Sequence, residues 1–66
     1  MTKYPPLSDL RREIRVADLA QADVADELGI HESTLSRYLT GRVEAPADLA
    51  EQVRAAIARL KPGAAA

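Results

Sequence analysis

Residues 19–42 read LAQADVADELGIHESTLSRYLTGR, and this stretch decides the fold. From Leu19-Ala20 the apolar residues recur at helical spacing, with Val24, Ala25 and Leu28 on one face. Gly29 follows at once, where a helix ends on a residue that tolerates positive φ. Ile30 is apolar directly after the turn. His31-Glu32-Ser33-Thr34 then opens a second helix, with Leu35, Tyr38 and Leu39 inward and Thr40-Gly41 at its end.

A short helix, a three-residue turn containing Gly and another helix form a helix-turn-helix pattern. Its two helices cross steeply over a tight turn, so several positions are constrained together. With Gln21 as the first position, the fifth must be small and is Ala25. The ninth must accept a left-handed turn and is Gly29. The fourth, eighth, tenth, fifteenth and eighteenth must be apolar, and they are Val24, Leu28, Ile30, Leu35 and Tyr38. One match alone means nothing; seven at fixed spacing are a strong signal.

Working outward, Leu7, Leu10, Ile14 and Ala17 mark a helix before this unit. Arg11, Arg12 and Arg15 fall off its apolar stripe. Met1 to Pro5 read as a flexible arm, since Pro5-Pro6 forbids a helix before them. After Gly41, the loop Arg42 to Ala45 leads to Pro46, which suits the first position of a last helix. Leu49, Val53, Ile57 and Leu60 form its stripe, and Pro62-Gly63 ends it, leaving 61–66 as a frayed tail. The spacing predicts one all-α domain of four helices, near residues 6–17, 21–28, 32–40 and 46–60, with no strand.

Composition limits what such a domain can do. Of the 66 residues, 47% are apolar, but 13 are Ala and none is Phe or Trp, so the core is thin. With no Cys and a single His, neither a disulfide nor a metal site is expected. Nothing calls for a cofactor, and no catalytic residues are predicted. No apolar run reaches the ~20 residues of a membrane span, and no leader opens the chain; the expectation is a cytoplasmic protein with no membrane partner. Net charge is −1, but the signs are segregated. Between Val16 and Ser36 there are five acids (Asp18, Asp23, Asp26, Glu27, Glu32) and no Lys or Arg. The bases cluster at Arg11, Arg12 and Arg15, at Arg37 and Arg42, and at Arg54, Arg59 and Lys61. A fold that gathers the first two groups has a positive face despite the net charge.

The quoted stretch resembles the helix-turn-helix of phage repressor and Cro-type (XRE-like) regulators, and the preceding helix keeps the same order of elements. The part from Ser33, STLSRYLTGR followed by VRAAIARL, is similar to the headpiece of LacI-type repressors. Together the resemblance covers about residues 7–60. It implies a lambda-repressor-like fold with a central helix-turn-helix, acting on double-stranded DNA as a transcriptional regulator, most plainly a phage- or plasmid-type repressor. It also implies that Gln21 holds a phosphate. Ala20 and His31 stand where such domains carry capping hydroxyls.

Glu32, Ser33, Ser36, Arg37 and Thr40 lie on one polar face of the third helix, opposite Leu35 and Tyr38. A major groove requires such a face. Arg37 can pair with guanine O6 and N7, and Glu32 can accept from a cytosine amino group. Ser33 and Ser36 are short enough to approach base edges. Gln21, His31, Thr34, Thr40 and Arg42 are assigned to phosphates and positioning, with His31 read as the cap of the third helix. One short reading helix buries little surface, so two copies are expected on a roughly palindromic operator, as a homodimer at least on DNA. A protein-interaction module using the acidic second helix is the competing reading; an enzyme has almost no support.

Overall fold

A computed structural model describes residues 3–61 of the protein. Met1, Thr2 and residues 62–66, assigned above to the free end of the arm and to the tail, lie outside the described residues. Four helices follow in order: α1 (Ser8–Val16), α2 (Gln21–Leu28), α3 (Glu32–Thr40) and α4 (Leu49–Leu60). No strand occurs among the described residues.

The first three helices end by one device. At each, a residue in the left-handed region reverses the chain, and its amide and the next one bond back to two of the helix's last carbonyls. In α1 this residue is Asp18, at φ 60°, with Asp18 N–H donating to Arg15 O and Leu19 N–H to Ile14 O. In α2 it is Gly29, at φ 74°, with bonds to Asp26 O and, through Ile30, to Ala25 O. In α3 it is Gly41, at φ 81°, with bonds to Tyr38 O and, through Arg42, to Arg37 O. The two glycines were legible as stops. Asp18 was not, because an aspartate tolerates this conformation only somewhat better than other side chains do.

α4 begins three residues later than Pro46 suggested. The Pro46 carbonyl accepts from Leu49 N–H at 3.1 Å, closing a turn over Ala47 and Asp48. Asp48 then caps by its backbone, accepting from Gln52 N–H at 3.0 Å. Its carboxylate is held by Gln52 Nε2 at 2.7 Å and caps no amide.

The core is Leu10 and Ile14 of α1, Val24 and Ala25 of α2, Leu35 and Leu39 of α3, and Leu49, Val53 and Ala56 of α4. α3 packs on α1 and α2, and α4 lies across α1 and α2. Small residues set the spacing: Ala25 and Ala56 are both fully buried, so helix backbones approach closely at these points. Ala56 was missed by sequence, whereas Leu7, Leu28, Tyr38, Ile57 and Leu60 only flank the core they were assigned to. Cutting Leu35 or Leu39 to Ala costs about 2–5 kcal/mol. That is comparable to the whole stability of a domain of this size, roughly 3–10 kcal/mol.

Two arginines of α4 tie it to its neighbours. Arg54 pairs with Glu13 of α1 through two bonds of 3.0 Å, and Arg59 Nε meets Glu27 of α2 at 2.6 Å. The Arg54 guanidinium holds the Glu13 carboxyl below its ordinary value, chiefly by hydrogen bonding. Both pairs are solvent-exposed, so each adds little to stability.

The arm is not loose over its described part. Lys3 N–H and Tyr4 N–H both donate to Gly41 O, at 3.0 and 2.8 Å, and Leu7 N–H donates to Leu39 O at 2.8 Å. Residues 3–7 therefore run along the end of α3. Gly41 is buried beneath them. Lys61, placed in the tail by sequence, still belongs to the helix end: its N–H donates to Ile57 O at 2.8 Å.

Candidate nucleic-acid interface

The α2–Gly29–α3 unit brings two helix N-termini and one polar helix face to the surface. Tethered by Leu35 and Leu39, α3 turns Glu32, Ser33 and Arg37 fully outward and leaves Thr34, Ser36 and Thr40 half-buried. Four of the five polar-face residues thus lie near or at solvent with free side chains. The exception is Thr40, whose Oγ1 donates to Ser36 O at 2.9 Å. That bond turns the Thr40 hydroxyl toward its own helix, leaving only its lone pairs for an outside donor.

His31 stands at the N-cap of α3, where its carbonyl accepts from Leu35 N–H, but its side chain does not cap the helix. It is exposed and extended, at φ −73° and ψ 147°, and its side chain bonds none of the first-turn amides. An imidazole is bulkier than a hydroxyl or carboxylate and reaches the N2 and N3 amides poorly. Ala20, which has no polar atom, leaves α2 equally uncapped. Neither helix start is therefore capped by a side chain, and its first N–H groups are open to an outside acceptor. Such groups, at the positive end of a helix, suit an anion.

Gln21 opens α2 and is half-buried. Beside it, Arg11 and Arg15 of α1, with Ile14, Asp18 and Leu19, line an open depression of about 220 Å³. Two arginines thus line the same depression as the start of α2, where the resemblance put a phosphate contact. Sequence reasoning left the three arginines of α1 undivided. The structure separates them: Arg12 lies on another flank, against α4. Spacing alone does not divide them, since Arg15 lies four residues from Arg11 and three from Arg12, and both separations make neighbours on a helix. Arg42 is exposed immediately after Gly41, continuing from the other end of α3. Of the acids, Glu27 is held by Arg59, Asp23 and Asp26 stand exposed on α2, Glu32 shares the outward face of α3 with Arg37, and Asp18 lies at the rim of the Arg11–Arg15 corner.

Among the described residues no cluster of His, Asp or Glu is arranged to hold a metal, and no helix is long and apolar enough to cross a membrane. Comparison with characterised proteins and with solved structures gave no match. A family model described as a helix-turn-helix domain matches residues 7–61, which run from the start of the arm's last bond to the end of α4. Given that span, the left-handed glycine between α2 and α3 and the all-helical core around them, the chain belongs to the helix-turn-helix domain family of DNA-binding proteins.

Proposed function

We propose that the protein is a sequence-specific regulator of transcription, acting as a repressor that inserts α3 into the major groove of its operator. The observation that carries this reading is the outward polar face of α3, with Arg42 just after its C-terminal end and Arg11 and Arg15 at the start of the neighbouring α2. Glu32, Ser33, Ser36 and Arg37 are the base-reading residues. Arg37 offers two parallel donors to guanine, and Glu32 an acceptor to a cytosine amino group. Gln21, Thr34, Thr40 and Arg42 hold the backbone, joined by Arg11 and Arg15 at the α1–α2 corner. His31, freed from capping, presents its ring beside the uncapped start of α3 and belongs with the phosphate contacts.

The protein reads DNA as two copies on a roughly palindromic site. Half-site centres then lie about one helical turn apart, ~34 Å. A single nine-residue helix makes few base contacts, so doubling them supplies the specificity one copy lacks. Repeated rounds of selection from random duplexes test the reading. The expected product is a two-fold symmetric consensus protected over two half-sites. Failure to enrich any sequence, with no retention on heparin at low salt, would overturn it.

A further inference from the structure

On the flank of α1 away from the Arg11–Arg15 corner, the C-terminal halves of α1 and α4 enclose a groove of about 570 Å³. Its floor is apolar: Val16, Ala17, Ile57 and Ala58. Val16 is 78% exposed, the most exposed large apolar side chain among the described residues. A single exposed valine is ordinary, but here it continues into three further apolar residues across two helices. The lining residues pair at helical spacing, Arg12 with Val16 and Glu13 with Ala17 on α1, Arg54 with Ala58 and Ile57 with Lys61 on α4.

The rim carries Arg12, Glu13, Arg54 and Lys61. Glu13, the one acid lining the groove, is neutralised by Arg54. Arg12 and Lys61 remain as cations with no ion-pair partner among the described residues. In a chain whose net charge is −1, this groove is a local positive site. A second copy docked here by two-fold symmetry would set two such rims against each other, and the like charges repel. DNA phosphates match the cations but have no use for the apolar floor. We infer that the groove binds an acidic amphipathic helix of another protein, whose apolar residues at helical spacing lie over Val16 and Ile57 and whose carboxylates face Arg12 and Lys61. Such helix-in-groove docking needs only an apolar trough and flanking charge of opposite sign. The surface is distinct from the reading face, so the partner can sit on the DNA-bound protein.

The test uses the full chain and three short synthetic peptides of matched length. One alternates Glu with Leu at helical spacing, the second scrambles that order, and the third replaces every Glu by Lys. Binding is followed by fluorescence anisotropy and by NMR shifts of the Val16 and Ile57 methyls. The patterned acidic peptide is expected to bind at least about tenfold more tightly than either control, with shifts centred on those methyls. Val16→Asp and Arg12→Glu, both on exposed side chains, are expected to weaken it by at least about tenfold while leaving the discrimination between selected and scrambled duplexes unchanged. Equal binding of the scrambled or Lys peptide overturns the inference, as do shifts elsewhere. Shifts of the same methyls that grow with protein concentration alone would assign the groove to a second copy instead. Shifts produced there by duplex DNA would assign it to phosphate.

Discussion

Gly41 and Gly29 occupy equivalent positions at the ends of consecutive helices, yet their replacement by Ala has different consequences. Both are left-handed, at φ 81° and 74°, and an L side chain there costs about 1–2 kcal/mol. For Gly29 that is the whole effect, since a Cβ built on it meets no atom within 4 Å. A Cβ on Gly41 falls 2.2 Å from the Tyr4 carbonyl oxygen and 3.1 Å from its carbon. Those are backbone atoms, so no rotamer change relieves the overlap, and residues 3–5 must lift. Lifting them breaks the two bonds from Lys3 and Tyr4 to the Gly41 carbonyl, each contributing about 0.5–1.5 kcal/mol. Gly41→Ala should therefore cost about 1–3 kcal/mol more than Gly29→Ala. Urea unfolding of both variants, followed by circular dichroism, gives the difference at unchanged m. Hydrogen exchange should show lost protection at Lys3 and Tyr4 in Gly41→Ala alone. A chain shortened by residues 1–4 supplies the control: there Gly41→Ala should cost no more than Gly29→Ala. If the two substitutions cost the same in the full chain, or Gly41→Ala is equally costly in the shortened one, the seating of the arm on Gly41 is not what requires glycine.

Asp18→Gly should stabilise the domain by about 0.5–1 kcal/mol, by releasing a left-handed side chain and a carboxylate at the negative end of α1. The same change removes an acid from the Arg11–Arg15 corner, so DNA affinity should rise with it; a fall in thermal midpoint on calorimetry would contradict the end of α1 described above. Arg37→Ala should lose about 1–3 kcal/mol on the selected operator and relax choice at one base pair, whereas Arg42→Ala should weaken selected and scrambled duplexes alike. Glu32→Ala should strengthen binding to scrambled DNA and blur one position; affinities of the three variants at one fixed salt concentration decide between reading and positioning roles. The Glu13–Arg54 pair predicts a pH dependence. Because Glu13 is held below its ordinary 4.5, its small contribution is present above that value and is lost as pH falls through the depressed one. Glu13→Gln should be less stable than the parent at neutral pH and equal to it in acid, by urea midpoints measured at both.

The spacing of apolar residues from Leu10 to Leu60 and the glycines at 29 and 41 were enough to determine four helices and the turn between α2 and α3. They act locally: a helix period and a left-handed stop are properties of the chain within a few residues. The outward face of α3 was legible for the same reason, since Leu35 and Leu39 anchor one side and thereby expose the other. Tertiary structure decided what depends on residues distant in sequence. That Gly41 must be glycine twice over, for its φ and for Tyr4 thirty-seven positions earlier, shows only once the arm is folded back. The division of the α1 arginines, with Arg11 and Arg15 beside Gln21 and Arg12 against α4, is likewise set by which helix packs on which side of α1. So is the use of Arg54 and Arg59 to tie α4 to Glu13 and Glu27, pairs 41 and 32 residues apart. A charge in sequence has a sign but no neighbour; the neighbour comes from packing, and with it the difference between a cation that pairs within the fold and one available to DNA.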